Sequence, residues 1–409
     1  MGVFQQDDRR TKDDVIMKEI DYPKINNKTI LLRVDLNSEV VDGKVQDSPR
    51  IRAAAESIRK IISENKIVIL AHQGRKGEDD FTDLSQHAKL LSKYLPKEVE
   101  FIDDIYGGRA KEEIKEMNEG EVLLLDNVRL LDEETEEKSA KAHANSSFVK
   151  SLSSVCDIFI NDAFSVCHRS HASMMGFTQT LPSYPGPRLK KEINSLDELK
   201  NAKHEIIYIL GGNKPKDAIN IITRSIGFNI DFVLAGGVIG ELFLKSKGAE
   251  FGAKDSFLRK HSDILDKFKT ELENHKDNII LPKDFAIEDS DRKEVALNDL
   301  PVEKNTMDIG EKTIQEFKKY IENAKTIVMN GTLGVNEKEE FRKGTLEILN
   351  AIKNTEAMSV IGGGDTSKAM DDMGFDMLDF SHVSLAGGAF VSYISGETLP
   401  ALEALENSA

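Results

Sequence analysis

Arginine, histidine and short polar side chains recur in the first 173 residues at one kind of place, the end of an apolar run. "TILLRVDLN" (29–37) carries Arg33, Asp35 and Asn37, and "KIVILAHQG" (66–74) carries His72 and is followed by Arg75. "EVLLLDNVR" (121–129) ends in Arg129, and "CDIFINDAF" (156–164) leads into His168, Arg169 and His171. A guanidinium is a planar fork of donors that pairs bidentately with carboxylate or phosphate oxygens. One such arginine reads as a surface residue or a structural salt bridge. Four apolar runs each delivering a basic group read as the rim of an anion site. The alternation of Arg33, Asp35 and Asn37 predicts that they share one face or mouth of a sheet.

The stretch "FSVCHRSHAS" (164–173) invites two other readings. A metal held by His168 and His171 needs further Cys, His or carboxylate ligands, and Arg169 between them repels a cation. A Cys167 nucleophile with His168 as its base is poorly placed, because adjacent side chains on an extended strand point to opposite faces. Anion binding through Arg169 is the preferred reading, with Cys167 packed and the two histidines positioning or structural.

The second half has a different grammar of apolar run, glycines, then a helix-compatible segment. It appears in "YILGGNKPKDAINII", "FVLAGGVIGELFL", "VMNGTLGVNEKEEF" and "SVIGGGDTSKAM". Glycine lets a backbone approach a phosphate, and the helix that follows offers free N–H groups and the positive end of its dipole. In "GGGDTSKAM", Gly362, Gly363 and Gly364 strip side chains from the turn, Asp365 suits a metal or a helix cap, and Thr366 suits a phosphate oxygen. Taken alone, "AGGV" reads as a tight strand ending. Neither GxxxxGK[ST] nor GxGxxG is present, so this is no P-loop and no dinucleotide fingerprint.

Short β-branched runs that alternate with amphipathic stretches such as "PRIRAAAESIRKIISEN" predict parallel sheets covered by helices on both faces. The pattern restarts after residue 204, and "NIILPKDFAI" and "KEVALNDL" add strands. The fold class expected is α/β, two doubly wound parallel-sheet (Rossmann-like) domains joined by a hinge helix. The proline-rich "LPSYPGPRLKKEINSLDELKNAKH" marks the break. The expected domains are 1–185, with a C-terminal segment of about 393–409 packing back onto it, a hinge helix over 186–203, and 204–392.

A chain of 409 residues is long for one domain. Its net charge of −16 argues against nucleic acid or an acidic membrane as partner, yet leaves room for a small anion in a locally basic cleft. Nine arginines lie between residues 33 and 188 and only four follow, so the two halves differ in task. Two cysteines, no early apolar segment and no run of about 18 apolar residues place the protein in the cytoplasm.

These motifs, in this order, resemble the phosphoglycerate kinase family, and its archaeal branch in particular. The resemblance rests on "RVDLN", "AHQGR", "DNVRLLDEE", "NDAFSVCHRSHAS", "LGGNKPKDAI", "MNGTLGVNE", "GGGDTSKAM" and "FSHVSLAGGAFVSYISGETLPALEAL". It implies reversible phosphoryl transfer between 1,3-bisphosphoglycerate and ADP, giving 3-phosphoglycerate and ATP with magnesium, in glycolysis and gluconeogenesis. It implies a first domain that binds phosphoglycerate through Asp35, Asn37, Arg50, His72, Arg75, Arg129 and Arg169. The second would bind the nucleotide through Gly211, Gly212, Lys214, Gly236, Asn330, Glu337, Gly362, Gly363, Gly364, Asp365 and Thr366. Asp365 would sit by the magnesium and Glu337 by the ribose, with Arg50 and Lys214 as the catalytic pair. A monomer is expected, with a homodimer as the alternative. Hinge-bending would bring the domains together.

Both nucleophiles of such a reaction, a carboxylate oxygen and an ADP phosphate oxygen, are already deprotonated at neutral pH. No general base is needed, and none stands out in the sequence. The chain departs from the family pattern at Ala218, where a second lysine is common, at Thr332 for proline, and at Leu385-Ala386 for Thr-Gly. Lys216 is the nearest replacement cation in sequence. A nucleotide-binding relative of weak activity and a dinucleotide-dependent oxidoreductase are the rival readings. Retention of Arg50, Lys214 and Asp365 speaks against the first, and the missing GxGxxG against the second.

Overall fold

The computed structural model of the chain describes residues 20–225, 230–289 and 291–408. The beginning of the sequence, where no apolar segment is expected, lies outside them. The chain divides into two compact units, 1–191 with 398–409, and 192–397.

The first unit is built on six parallel strands: β1 (Thr29–Arg33), β2 (Lys66–Leu70), β3 (Val99–Ile102), β4 (Val122–Leu125), β5 (Ile158–Asn161) and β6 (Ser183–Pro185). Their spatial order is β3-β4-β2-β1-β5-β6. Successive side chains feed two separate cores. Ile30 and Leu32 pack with Ile67 and Ile69 on one face, and Leu31 packs with Val68, Leu70 and Phe159 on the other. A strand buried on both faces must be apolar throughout, which is why these segments read as continuous runs. The runs overshoot the strands. Pairing in β1 stops at Arg33, so Asp35 and Asn37 lie in the loop beyond it and not on one sheet face.

Helix α1 (Pro49–Ile61) covers the first of these faces with Ile51, Ala54, Ala55, Ile58 and Ile61. Ser48 caps it by accepting from the Ile51 N–H at 3.4 Å, and Pro49 occupies the first turn, where its missing N–H costs nothing. This start fixes Arg50 at the sheet's carboxyl rim.

The unit boundary falls inside α2 (Pro187–Asp197), which a 3₁₀ turn, Glu198–Asn201, extends. The C-terminal helix, Pro400–Glu406, returns to the first unit, where the Ala401 N–H donates to the Cys167 carbonyl at 3.2 Å.

The second unit repeats the plan with β7 (Ile206–Leu210), β8 (Phe232–Ala235) and β9 (Ile279–Ile280). Three strands, β10 (Asp284–Asp289), β11 (Asp291–Ala296) and β12 (Thr306–Ile309), form a separate antiparallel sheet. Then β13 (Thr326–Asn330), β14 (Met358–Gly362) and β15 (His382–Val383) complete the main sheet. The main sheet is parallel, in the order β9-β8-β7-β13-β14-β15. That is the doubly wound Rossmann order, with direction reversing between β7 and β13. In the first unit the reversal lies between β1 and β5. Ligands of such sheets bind beyond the strand carboxyl ends at the reversal, because the flanking loops diverge there and leave a crevice.

Candidate active site

In the first unit, the residues around the β1/β5 reversal form two layers. The outer layer holds Arg50, whose Nε lies 3.2 Å from Asp35 Oδ2 while Nη1 donates to the Asn37 carbonyl at 2.8 Å. Ser165 adds a hydroxyl to Asp35 at 2.5 Å, and Asn37 Oδ1 accepts from the Gly74 N–H at 2.8 Å. Arg129 is half-buried and donates to the Gly74 carbonyl, its backbone held by Asn127 Oδ1 at 3.1 Å. Arg75 and Arg169 are exposed.

The inner layer is buried behind the rim. Arg33 is fully buried, so it is no rim residue. Its Nη2 reaches His72 Nδ1 at 3.1 Å, its Nε donates to Ser173 Oγ at 2.9 Å, and Nη1 donates to the Val34 carbonyl at 2.5 Å. Ser173 in turn donates to buried Glu134, Oγ to Oε1 at 2.7 Å and N–H to Oε2 at 2.8 Å. Glu134 sits inside the quoted "DNVRLLDEE", but nothing in that motif ties it to a serine 39 residues on.

Burial pushes His72 well below its ordinary value, and Arg33, Arg129 and Arg50 add to this. Burial, then Arg129 and Arg33, lowers His171 to about 3, and burial with Arg169 lowers His168 to about 4. Both are neutral at pH 7. Cys167 is buried and donates weakly to the Ala163 carbonyl at 3.6 Å, and burial pushes its thiol far up, which makes it inert as a nucleophile. Among the described residues no group of three or more His, Cys, Asp or Glu side chains is gathered as a metal ligand set.

In the second unit a cavity of about 460 Å³ opens where the glycine turns converge. Its mouth is made of backbone. The Gly211 N–H donates to the Asn330 carbonyl at 3.0 Å and Gly212 N–H to that of Thr332 at 2.6 Å, so the turns after β7 and β13 are stitched together. A Cβ on Gly211 would meet the Thr332 carbonyl oxygen at 2.3 Å. Gly331 was not singled out in the sequence, yet it sits at φ +90° and a Cβ there would meet the Gly211 oxygen at 2.3 Å. No side chain fits at either position.

The turn after β14 leads into the helix Gly364–Asp372. Gly363 takes φ +98° there, and its N–H donates to the Ala386 carbonyl at 3.0 Å. Thr366 is buried and its Oγ1 accepts from the Gly331 N–H at 2.9 Å, locking two turns together. Lys214 Nζ donates to Asp365 Oδ2 at 2.8 Å, and both side chains are exposed. Gly236 caps the helix Gly237–Ser246, and a Cβ on it would strike Leu333 at 2.5 Å, so its role is close packing beside the cavity. Gly362 is likewise pressed on the Phe390 ring, while Asn330 and exposed Glu337 line the cavity. Lys216 points elsewhere, pairing with Asp263 at 3.1 Å, so it does not stand in for the lysine missing at buried Ala218.

Residues 18–397 match the family model described as "Phosphoglycerate kinase". The chain is 40 % identical over 390 residues to the phosphoglycerate kinase of Methanopyrus kandleri, covering 93 % of this chain and 95 % of that one. It is 38 % identical to that of Halorubrum lacusprofundi, with 93 % and 96 % covered. The crystal structure of phosphoglycerate kinase from Pyrococcus horikoshii superposes with a TM-score of 0.89 at 37 % identity, covering 93 % of this chain and 96 % of that one. The enzyme from Coxiella burnetii gives 0.74 at 30 % identity, over the same shares. By its motifs, its two sheets and these likenesses, the chain belongs to the phosphoglycerate kinase family.

Proposed function

We propose that the two units divide the family's reaction between them, the first holding the phosphoglycerate and the second the nucleotide. The reaction is reversible phosphoryl transfer between 1,3-bisphosphoglycerate and ADP, and the chain is a kinase with a carboxyl group as acceptor. In the first unit Arg75, Arg129 and Arg169 compensate the substrate phosphate, and Asp35, Asn37 and His72 orient its carboxyl end. Arg50 is held by Asp35 and the Asn37 carbonyl, and it offers a guanidinium to the travelling phosphoryl group.

In the second unit Gly211, Gly212 and Gly362–Gly364 bring N–H groups to the phosphates, with Lys214 as cation. Thr366 and Asn330 keep the turns in place, Gly236 packs beside the base, and Glu337 faces the ribose. Magnesium takes one or two carboxylates and completes its shell with phosphate oxygens and water. Asp365, exposed on the first turn of a helix and reached by Lys214, fits that requirement. The bound ion would neutralise charge on the phosphoryl oxygens during transfer. Transfer in line then requires the two bound substrates to be brought together and water to be excluded.

The observation that carries this reading is the contact between Lys214 and Asp365 beside the glycine turns. A cation for phosphate and a carboxylate for a metal stand side by side at the reversal of the sheet. Isothermal titration of ADP with and without magnesium tests it. Binding strengthened by magnesium in the intact chain, and strengthened much less by the same magnesium concentration in Asp365→Asn, is expected. Equal magnesium dependence in both proteins contradicts it.

No helix among the described residues is long and apolar enough to cross a membrane. A cytoplasmic monomer is the form we propose.

A further inference from the structure

Behind the rim of the first unit a buried amide network joins three loops. Gln73 stands in the chain between His72 and Gly74, and Gln73, His87 and Asn127 have no exposed surface. The Gln73 side chain uses every bond it can make. Oε1 accepts from the Ser38 N–H at 2.8 Å and lies 3.1 Å from His87 Nε2. Nε2 donates to the Ser38 carbonyl at 2.9 Å and to the Asp80 carbonyl at 3.0 Å. An amide has two lone pairs and two N–H groups, so none is left over. His87 comes from the helix Ser85–Ser92, and burial lowers it to about 4, so the ring is neutral at pH 7. Facing an amide oxygen, its Nε2 carries the proton. Its Nδ1 has no hydrogen-bond partner among the described residues.

The loops so joined carry the side chains of the rim. Ser38 follows Asn37 in the loop after β1, Gln73 opens the loop that bears Arg75 after β2, and Asn127 leads to Arg129 after β4. Asn127 Nδ2 donates to the Gln73 and Thr82 carbonyls, each at 2.8 Å. Its Oδ1 accepts from the N–H groups of Gln73 at 3.3 Å and Arg129 at 3.1 Å. Residues 74–82 are thereby closed into a ring, tied at Asp80 by Gln73 and at Thr82 by Asn127. Within it the Glu78 N–H donates to the Arg75 carbonyl at 2.9 Å. A Cβ on Gly74, at φ +63°, would meet the Asp80 oxygen at 2.6 Å, so the ring is closed tightly. Arg75 itself is exposed, and its place is set by its loop.

We propose that Gln73 is a positioning residue for the phosphoglycerate: it closes the Arg75 loop in advance, so that this guanidinium waits for the substrate phosphate at a fixed place relative to Arg129 and Asn37. The inference rests on the first unit holding the phosphoglycerate. A loop that is ordered only on binding loses part of the interaction to its own conformational entropy, and one ordered beforehand does not. Gln73 has no exposed surface, so it acts through Arg75 and not on the ligand. Methionine at this position keeps an unbranched side chain of similar length but releases Ser38, Asp80 and His87 together, while the charges of the rim stay as they are.

Titration calorimetry of the whole chain with 3-phosphoglycerate, and separately with ADP and magnesium, tests this in Gln73→Met, Arg75→Ala and the double variant. Gln73→Met should weaken 3-phosphoglycerate about tenfold or more and leave ADP within about twofold. In the Arg75→Ala background the same change should cost at least about threefold less, because the residue it positions is gone. Full additivity overturns the inference, as does an unaltered 3-phosphoglycerate affinity in folded Gln73→Met or an equal loss for both ligands. No loss of 3-phosphoglycerate affinity in Arg75→Ala alone overturns instead the placing of the substrate phosphate at this rim. Should Gln73→Met not fold, amide hydrogen exchange in the intact chain decides. The Ser38 and Gln73 N–H groups should be protected before 3-phosphoglycerate is added, and protection that appears only with the ligand overturns the inference.

Discussion

The buried Arg33 guanidinium points Nη2 at Nδ1 of His72 across 3.1 Å. Arginine has no acceptor, so Nδ1 must carry the lone pair and the ring proton sits on Nε2. With its pKa held far down by burial and three arginines, His72 is a neutral N–H donor amid positive charge. The chain Glu134–Ser173–Arg33–His72 sets that tautomer from behind.

Ser173→Ala removes the middle link and leaves one Glu134 oxygen without its hydroxyl donor in a buried place. A loss of about 1–3 kcal/mol in unfolding free energy is expected. Denaturant titration measures it, and ¹⁵N shifts of His72 in the intact chain should report the Nε2–H form from pH 8 to pH 5. A titration of His72 near 6.5 would contradict the assignment.

Arg50→Ala should act on turnover more than on binding. The guanidinium is placed by Asp35 and the Asn37 carbonyl, and it matters most when charge shifts onto the transferring group. A fall of about 10²-fold or more in kcat, with smaller changes in KM for either substrate, is expected from steady-state kinetics. A kcat within twofold of the intact chain would remove Arg50 from the chemistry.

Asp365→Asn separates metal binding from folding. The Lys214–Asp365 pair is solvent-exposed, and such pairs contribute at most about 1 kcal/mol. Thermal unfolding should therefore hardly move, while the magnesium concentration for half-maximal rate rises about tenfold or more. An unaltered magnesium requirement would place the ion elsewhere.

Acid should attack the first unit before the second. His72, His87, His168 and His171 all have folded values below the ordinary one, through burial first, with His87 and His168 at about 4 and His171 at about 3. The unfolded chain binds protons that the folded one refuses, so stability falls as pH drops below about 6.5. Each histidine costs up to about 1.4 kcal/mol per pH unit until its own folded value is reached. Asp162, raised to about 6 by burial, and Asp126 and Glu134, also raised by burial, work the other way within the same unit but are outnumbered by the four histidines. In the second unit burial lowers one histidine, His261, but raises Glu241 to about 7, Asp308 to about 6 and Asp217 above its ordinary value, and each of these acids gives relative stability as pH falls. Hydrogen exchange between pH 7 and pH 4.5 should show strands of the first unit losing protection first. Earlier loss in β7 or β13 would contradict this.

The strands of the two six-stranded sheets were legible because both faces of those sheets are buried, leaving apolar runs such as "TILL", "IVIL" and "VLLL" that a half-solvated strand would not carry. Their ends were not legible, since Val34 and Leu36 continue the apolar alternation in a segment that has already left the sheet. Strand order was hidden as well, because crossovers that skip neighbours leave no local trace. The glycine turns could be read from composition, but Gly331 could be singled out only once the turns after β7 and β13 were seen to touch. Arg33 looked like its neighbours on the rim. Its partner Ser173 lies 140 residues away, and only the β1–β5 pairing brings them together. Glu241 left the one signal that a sequence can give of a buried polar group, a single acid in the apolar "VIGELFL".

Phosphoryl transfer between 3-phosphoglycerate and ATP is the activity on which every residue role above depends. The direct measurement couples the purified full chain to glyceraldehyde-phosphate dehydrogenase and follows NADH consumption with 3-phosphoglycerate, ATP and magnesium. NADH consumption should require all three and fall about 10²-fold or more in Arg50→Ala. Consumption no faster than in a control lacking the chain would contradict it.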